Sequence, residues 1–90
     1  MREPEPTGFI YLFRVGIAYK VGMTTKVENR MNALKHQLPH KGRLLHLIGT
    51  DDPFGIEQYW HKRFAATRTH GEWFRLDEQD VLAFKRRQFM

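Results

Sequence analysis

The stretch GFIYLFRVGIAYKVGMT, residues 8–24, constrains the fold more than any other part of this chain. β-Branched and aromatic side chains crowd both sides of Val15-Gly16, the pattern of two strands joined by a tight turn. Strands joined so closely run antiparallel. With the turn symmetric about Val15-Gly16, Ile10 faces Val21, Tyr11 faces Lys20 and Leu12 faces Tyr19. Directly opposed side chains share a face. Tyr11 and Lys20 then touch on one side of the hairpin, and Ile10, Leu12, Tyr19 and Val21 line the other. Two phenols and an ammonium in the most apolar stretch are either its wetted side or part of a reactive site.

The remaining elements follow from caps and spacing. Thr25-Lys26-Val27-Glu28 matches a capping box, and a helix is predicted to about Leu38, stopped by Pro39. Its apolar stripe is Val27, Met31, Leu34 and Leu38, with Arg30 at the boundary between core and solvent. Residues 43–50, RLLHLIGT, read as a third strand. Asp52-Pro53 supplies an N-cap and an N1 proline for a second helix to about Ala66, with Ile56, Trp60 and Phe64 inward. Residues 71–76, GEWFRL, read as one short extended segment. Asp77 then caps a last helix bearing Val81, Leu82, Phe84 and Phe89. The order ββαβα, short strand, α predicts an α+β domain over 8–90 around a small, mostly antiparallel three-stranded sheet. Residues 1–7 read as a polar, proline-broken tail.

Composition narrows the function classes. No cysteine is present, which excludes disulfides and thiolate metal sites and suits a reducing cytoplasm. No apolar run reaches a membrane-spanning length, and Glu3, Pro4 and Glu5 do not suit a signal peptide. Fifteen Lys and Arg against ten Asp and Glu leave +5, which suits an anionic partner, with nucleic acid first. Arginines make up nine of the fifteen, the type that contacts phosphates bidentately.

Tyr11, Lys20, Arg30 and Glu57 lie on the hairpin, the first helix and the second helix. At these positions the chain resembles the GIY-YIG endonuclease superfamily. Gly8-Phe9-Ile10-Tyr11 looks like its first element and Tyr19-Lys20-Val21-Gly22 like its second. Arg30 matches its arginine, and Glu57 its metal-binding glutamate. The run Glu57, His61, Phe64, Gly71-Glu72-Trp73-Phe74 is similar to a compact phage and bacterial branch that ends in EWF. Lys20 stands where most members carry a second tyrosine, and Tyr19 falls one residue early on the opposite face. The C-terminal asparagine of many members has no counterpart, since the only asparagines are Asn29 and Asn32.

The resemblance implies a DNA endonuclease with Tyr11 as general base, Arg30 as phosphate clamp and Glu57 as the single protein ligand of Mg²⁺ or Mn²⁺. A phenol of pKa about 10 is roughly 0.1% ionised at pH 7, so Tyr11 needs a cation beside it, and Lys20 is the expected source. A lone carboxylate holds metal weakly, so ion and DNA are expected to bind together. His61 and Tyr19 are auxiliary candidates, although Tyr19 shares a face with Ile17 and Val21 and reads as core. A zinc set of Glu57, His61 and His70 is the alternative metal reading. Lys26, Lys35, Lys41, Arg43, Lys62, Arg63 and Arg68 are the candidate phosphate contacts. The competing functions are a nucleic-acid-binding module without turnover and a small protein-interaction domain.

Overall fold

In the computed structural model, which describes residues 5–38 and 41–90, the apolar stretch forms its hairpin with the turn on Gly16-Ile17. Strand β1 (Gly8–Val15) pairs antiparallel with β2 (Ala18–Thr24), matching Val15 with Ala18, Phe13 with Lys20, Leu12 with Val21 and Tyr11 with Gly22. The turn sits one residue later than expected because Gly16 takes φ 59°, the first central position of a type II′ turn. Moving the turn by one residue moves every pairing by two. Tyr11 therefore lies opposite Gly22 and not Lys20, but the two faces keep their members.

Helix α1 (Val27–Gln37) follows. Its expected capping box is absent, because Thr24 Oγ1 takes the Lys26 N–H at 3.0 Å and Lys26 becomes an N-cap with no side-chain bond. Leu38 is extended, at φ −98° and ψ 133°, as suits a residue before proline. Pro39 itself, like the start of the N-terminal tail at residues 1–4, lies outside the described residues. Strand β3 (Arg43–Thr50) forms where its apolar run foretold, and it pairs with the other edge of β1.

Helix α2 (Pro53–Arg63) is capped as its sequence dictates, with Asp52 Oδ1 accepting from Gly55 N–H at 3.1 Å. Asp52→Ala should lower stability by roughly 1 kcal/mol. Chemical denaturation checks this, and an unchanged midpoint would show the cap to be idle. The helix ends three residues before the expected Ala66, and Ala65–Thr67 tighten into a 3₁₀ turn.

Strand β4 (Arg68–His70) was not foreseen. It turns through Gly71-Glu72 into β5 (Trp73–Phe74), and β5 pairs with β2 through Tyr19–Phe74 and Lys20–Trp73. The sheet thus has five antiparallel strands, ordered β3-β1-β2-β5-β4, where three were expected. Helix α3 (Glu78–Lys85) starts at a capping box between Asp77 and Asp80.

Each face of the sheet carries its own core. Ile10, Leu12, Val21 and Ile48 pack with Trp60 of α2, Phe64 just beyond its end, Phe84 of α3, and Phe74. Tyr11 and Phe13 pack on the other face with Leu34 and Met31 of α1. Leu82 of α3 is exposed, while Val81 and Phe84 turn to the core. Among the described residues no helix is long and apolar enough to cross a membrane.

Candidate functional site

Strand β2 runs past the end of its short neighbour β5. The Val21 N–H still finds the Glu72 carbonyl at 3.0 Å, but the next polar groups on this edge have no strand beside them. Buried backbone groups need partners, and here side chains of α2 provide them. The Val21 carbonyl accepts from His61 Nε2 at 2.6 Å, and the Met23 N–H donates to the Glu57 carboxylate. A carbonyl can only accept, so Nε2 carries the ring proton and the Nδ1 lone pair is left over. Glu57 and His61, four apart on α2, share one helix face.

The third member of the cluster is Glu72, which the sequence reading passed over. Gly71 at φ 55° makes the β4–β5 turn and delivers Glu72 to the β2 edge. One ligand atom each from Glu57, His61 and Glu72 lies within 4.8 Å of the others, so the group could hold a metal ion. His70, the expected third zinc ligand, is exposed and bonds Thr69 Oγ1 at 3.3 Å. Burial and the charge of Glu72 push the Glu57 carboxyl above its ordinary range, against the pull of His61 and Met23. A side-chain hydrogen bond with Glu72 also favours the protonated form of Glu57. Such a pair is short of positive charge. Lys20 supplies some of it, with Nζ 3.2 Å from Glu72 Oε1 and 5.3 Å above the Trp73 ring.

Tyr11 approaches from the opposite face. It is 1% exposed, and its phenol lies across Gly22, where a Cβ would sit 2.6 Å from Tyr11 Cζ and closer still to the hydroxyl. The phenol is pushed up to about 12, by burial first and then by Glu72, with Arg30 opposing and Glu57 adding. This reverses the expectation that Lys20 lowers it, because burial dominates and the shifted register places Gly22, not Lys20, opposite Tyr11. Between about pH 10 and 12 the native state keeps a proton that the unfolded chain has lost, so this contribution to stability fades as pH rises through that window. In a spectrophotometric titration one of the three tyrosines should ionise near 12 and vanish in Tyr11→Phe. A wild-type titration complete near pH 10, about the free phenol value, would contradict it.

Arg30, exposed on α1, acts on the same phenol and lines a hollow with Thr24, Thr25, Lys26 and Asn29. Arg30 and Glu57 thus both act electrostatically on the Tyr11 phenol while lining different hollows, and Lys20 pairs with Glu72. Tyr19 packs on the core of the face opposite Tyr11, with the Arg14 guanidinium 5.5 Å above its ring.

The candidate phosphate contacts divide into groups and do not form one patch. Lys62 and Arg68 line a groove together with Glu57 and His61, and Lys26 stands beside Arg30. Arg63 lies over Trp60 at 5.2 Å and donates to Tyr59 Oη at 3.1 Å. Lys41 and Arg43 flank Gly16 at the hairpin tip, and Lys35 is exposed on α1.

Residues 8–89 match the T5orf172 domain, nearly the whole chain. This protein belongs to the T5orf172 domain family. No curated protein and no solved structure matches it. In this T5orf172 domain the matched span takes in Tyr11, Lys20, Arg30, Glu57, His61 and Glu72.

Proposed function

We propose that this T5orf172 domain is a divalent-metal-dependent endonuclease of GIY-YIG type that hydrolyses or nicks DNA. The observation that supports the reading is that Arg30 and Glu57, from two helices on opposite faces of the sheet, both act electrostatically on the phenol of Tyr11 on the strand between them.

Phosphodiester hydrolysis needs an activated water, donors for the charged phosphate oxygens and help for the leaving oxygen. Glu57, with His61 and Glu72 beside it, offers the donor set for Mg²⁺ or Mn²⁺. Such an ion supplies Lewis-acid stabilisation of the phosphate and leaving oxygens. The Arg30 guanidinium donates to a nonbridging oxygen from its open position on α1. Tyr11, once its phenol has released its own proton to solvent, accepts the proton of the attacking water at Oη. With a pKa of about 12 the phenol is ionised only about one part in 10⁵ at pH 7. Two of the groups that raise it, Glu72 and Glu57, are the carboxylates a cation would neutralise. Balancing those charges would lower the phenol's pKa, against the burial that is the largest cause of its rise. Lys20 fixes Glu72 and sits on the same sheet face as Tyr11. Lys62 and Arg68 extend the positive lining of the groove along the DNA backbone.

A second reading, a DNA-binding module without turnover, draws on one observation. Lys20, in the place of a second catalytic tyrosine, is engaged by Glu72 and not by Tyr11. Supercoiled plasmid incubated with Mg²⁺ or Mn²⁺ separates the two. Nicking that EDTA abolishes is expected. Salt-dependent binding with no nicking by either ion would favour the module.

A further inference from the structure

We propose that Glu57, His61 and Glu72 form a three-donor centre that takes its ion before nucleic acid arrives and prefers a first-row transition ion to Mg²⁺. This deepens the nuclease reading and rests on its metal dependence, but it concerns which side chains hold the ion and what they select. A single glutamate would need a DNA phosphate to complete its site. Here two carboxylates and an imidazole already gather within 4.8 Å, from two elements fixed independently.

Each donor is positioned by backbone. His61 is oriented by its bond to the Val21 carbonyl, the outer-shell contact that sets ring orientation and tautomer in metal-binding histidines. Glu57 is tied to Met23 N–H. Glu72 is held by the Gly71 turn, by its carbonyl on Val21 N–H and by Lys20 on one carboxylate oxygen. Three donors on one side leave coordination positions free for a phosphate oxygen and water. Imidazole also decides the selectivity. Mg²⁺ demands oxygen ligands and gives up its waters reluctantly, whereas Mn²⁺ and its row accept mixed nitrogen and oxygen sets.

Isothermal titration of the metal-free protein with Mn²⁺ and with Mg²⁺, without nucleic acid, tests this. One Mn²⁺ site is expected, about tenfold or more tighter than Mg²⁺. His61→Ala should lose most of the Mn²⁺ affinity and change Mg²⁺ little. That variant also frees the Val21 carbonyl, which can cost it the fold, so Glu72→Gln is the second probe. It keeps the backbone bond to Val21 and should weaken both ions about tenfold or more. No Mn²⁺ uptake without DNA, equal affinity for both ions, or a Glu72→Gln protein that binds as wild type would each overturn the centre. Metal-dependent nicking without prior uptake sinks this proposal and leaves the nuclease standing. Tight uptake with no nicking on any substrate does the reverse.

Discussion

Glu57→Gln is expected to reduce metal-dependent nicking by about 10³-fold or more, and to stabilise the metal-free protein at neutral pH. The opposite signs follow from one position. Glutamine keeps an oxygen to accept the Met23 N–H, and its amide can donate to Glu72 in place of the protonated carboxyl. It brings no negative charge, so the function of a metal ligand is lost and the strain of two adjacent carboxylates goes with it. The Glu57 carboxyl sits above its ordinary 4.5, so the native state holds this proton after the unfolded chain has released it. The resulting stability is complete below about 4.5 and is lost as pH rises through the raised value. Thermal melts in EDTA across this range should fall with rising pH in wild type relative to Glu57→Gln. A Gln variant that is less stable at neutral pH, with the same pH slope, would contradict the paired-carboxyl geometry.

Gly22→Ala should cost about 1–3 kcal/mol of stability and about 10²-fold in turnover. The new methyl would sit 2.6 Å from Tyr11 Cζ, and the ring has nowhere to retreat. Tyr11 is buried with Phe13 and Leu34, and Met31 and Leu47 close the cluster. A rigid aromatic in a packed layer moves only by displacing neighbours. The phenol is also the group closest to the new atom, so the displacement falls on the proposed base. Denaturant titration and plasmid nicking check the two halves. A stable variant with full activity would show that the hydroxyl's position over Gly22 does not matter.

The particular residues show what could be read before folding. Tyr11 and Lys20 were assigned to one face correctly even with the register wrong, because a two-residue slip preserves alternation. Tyr19 was legible as core for the same reason. Helices α2 and α3 began where Asp52 and Asp77 said they would. The hairpin register was not legible, since it depends on whether Gly16 takes the first or second place in the turn. Glu72 was missed because β4 and β5 have three and two residues, too few for any periodic signal. Its one cue was Gly71-Glu72 between two short extended runs, the sequence form of a Gly-X hairpin turn. The sign of the shift at Tyr11 was beyond reach, because burial and two carboxylates from separate elements set it. Net charge likewise foretold basic residues but not their division among several surfaces.

The most direct test of the shared site compares wild type, Tyr11→Phe, Arg30→Ala and Glu57→Gln in single-turnover nicking of one plasmid with Mn²⁺, each protein first shown to be folded and to bind DNA. A common site for one phosphate requires all three variants to lose about 10²-fold or more in rate. Any one of these three variants that folds and nicks as fast as wild type would contradict it.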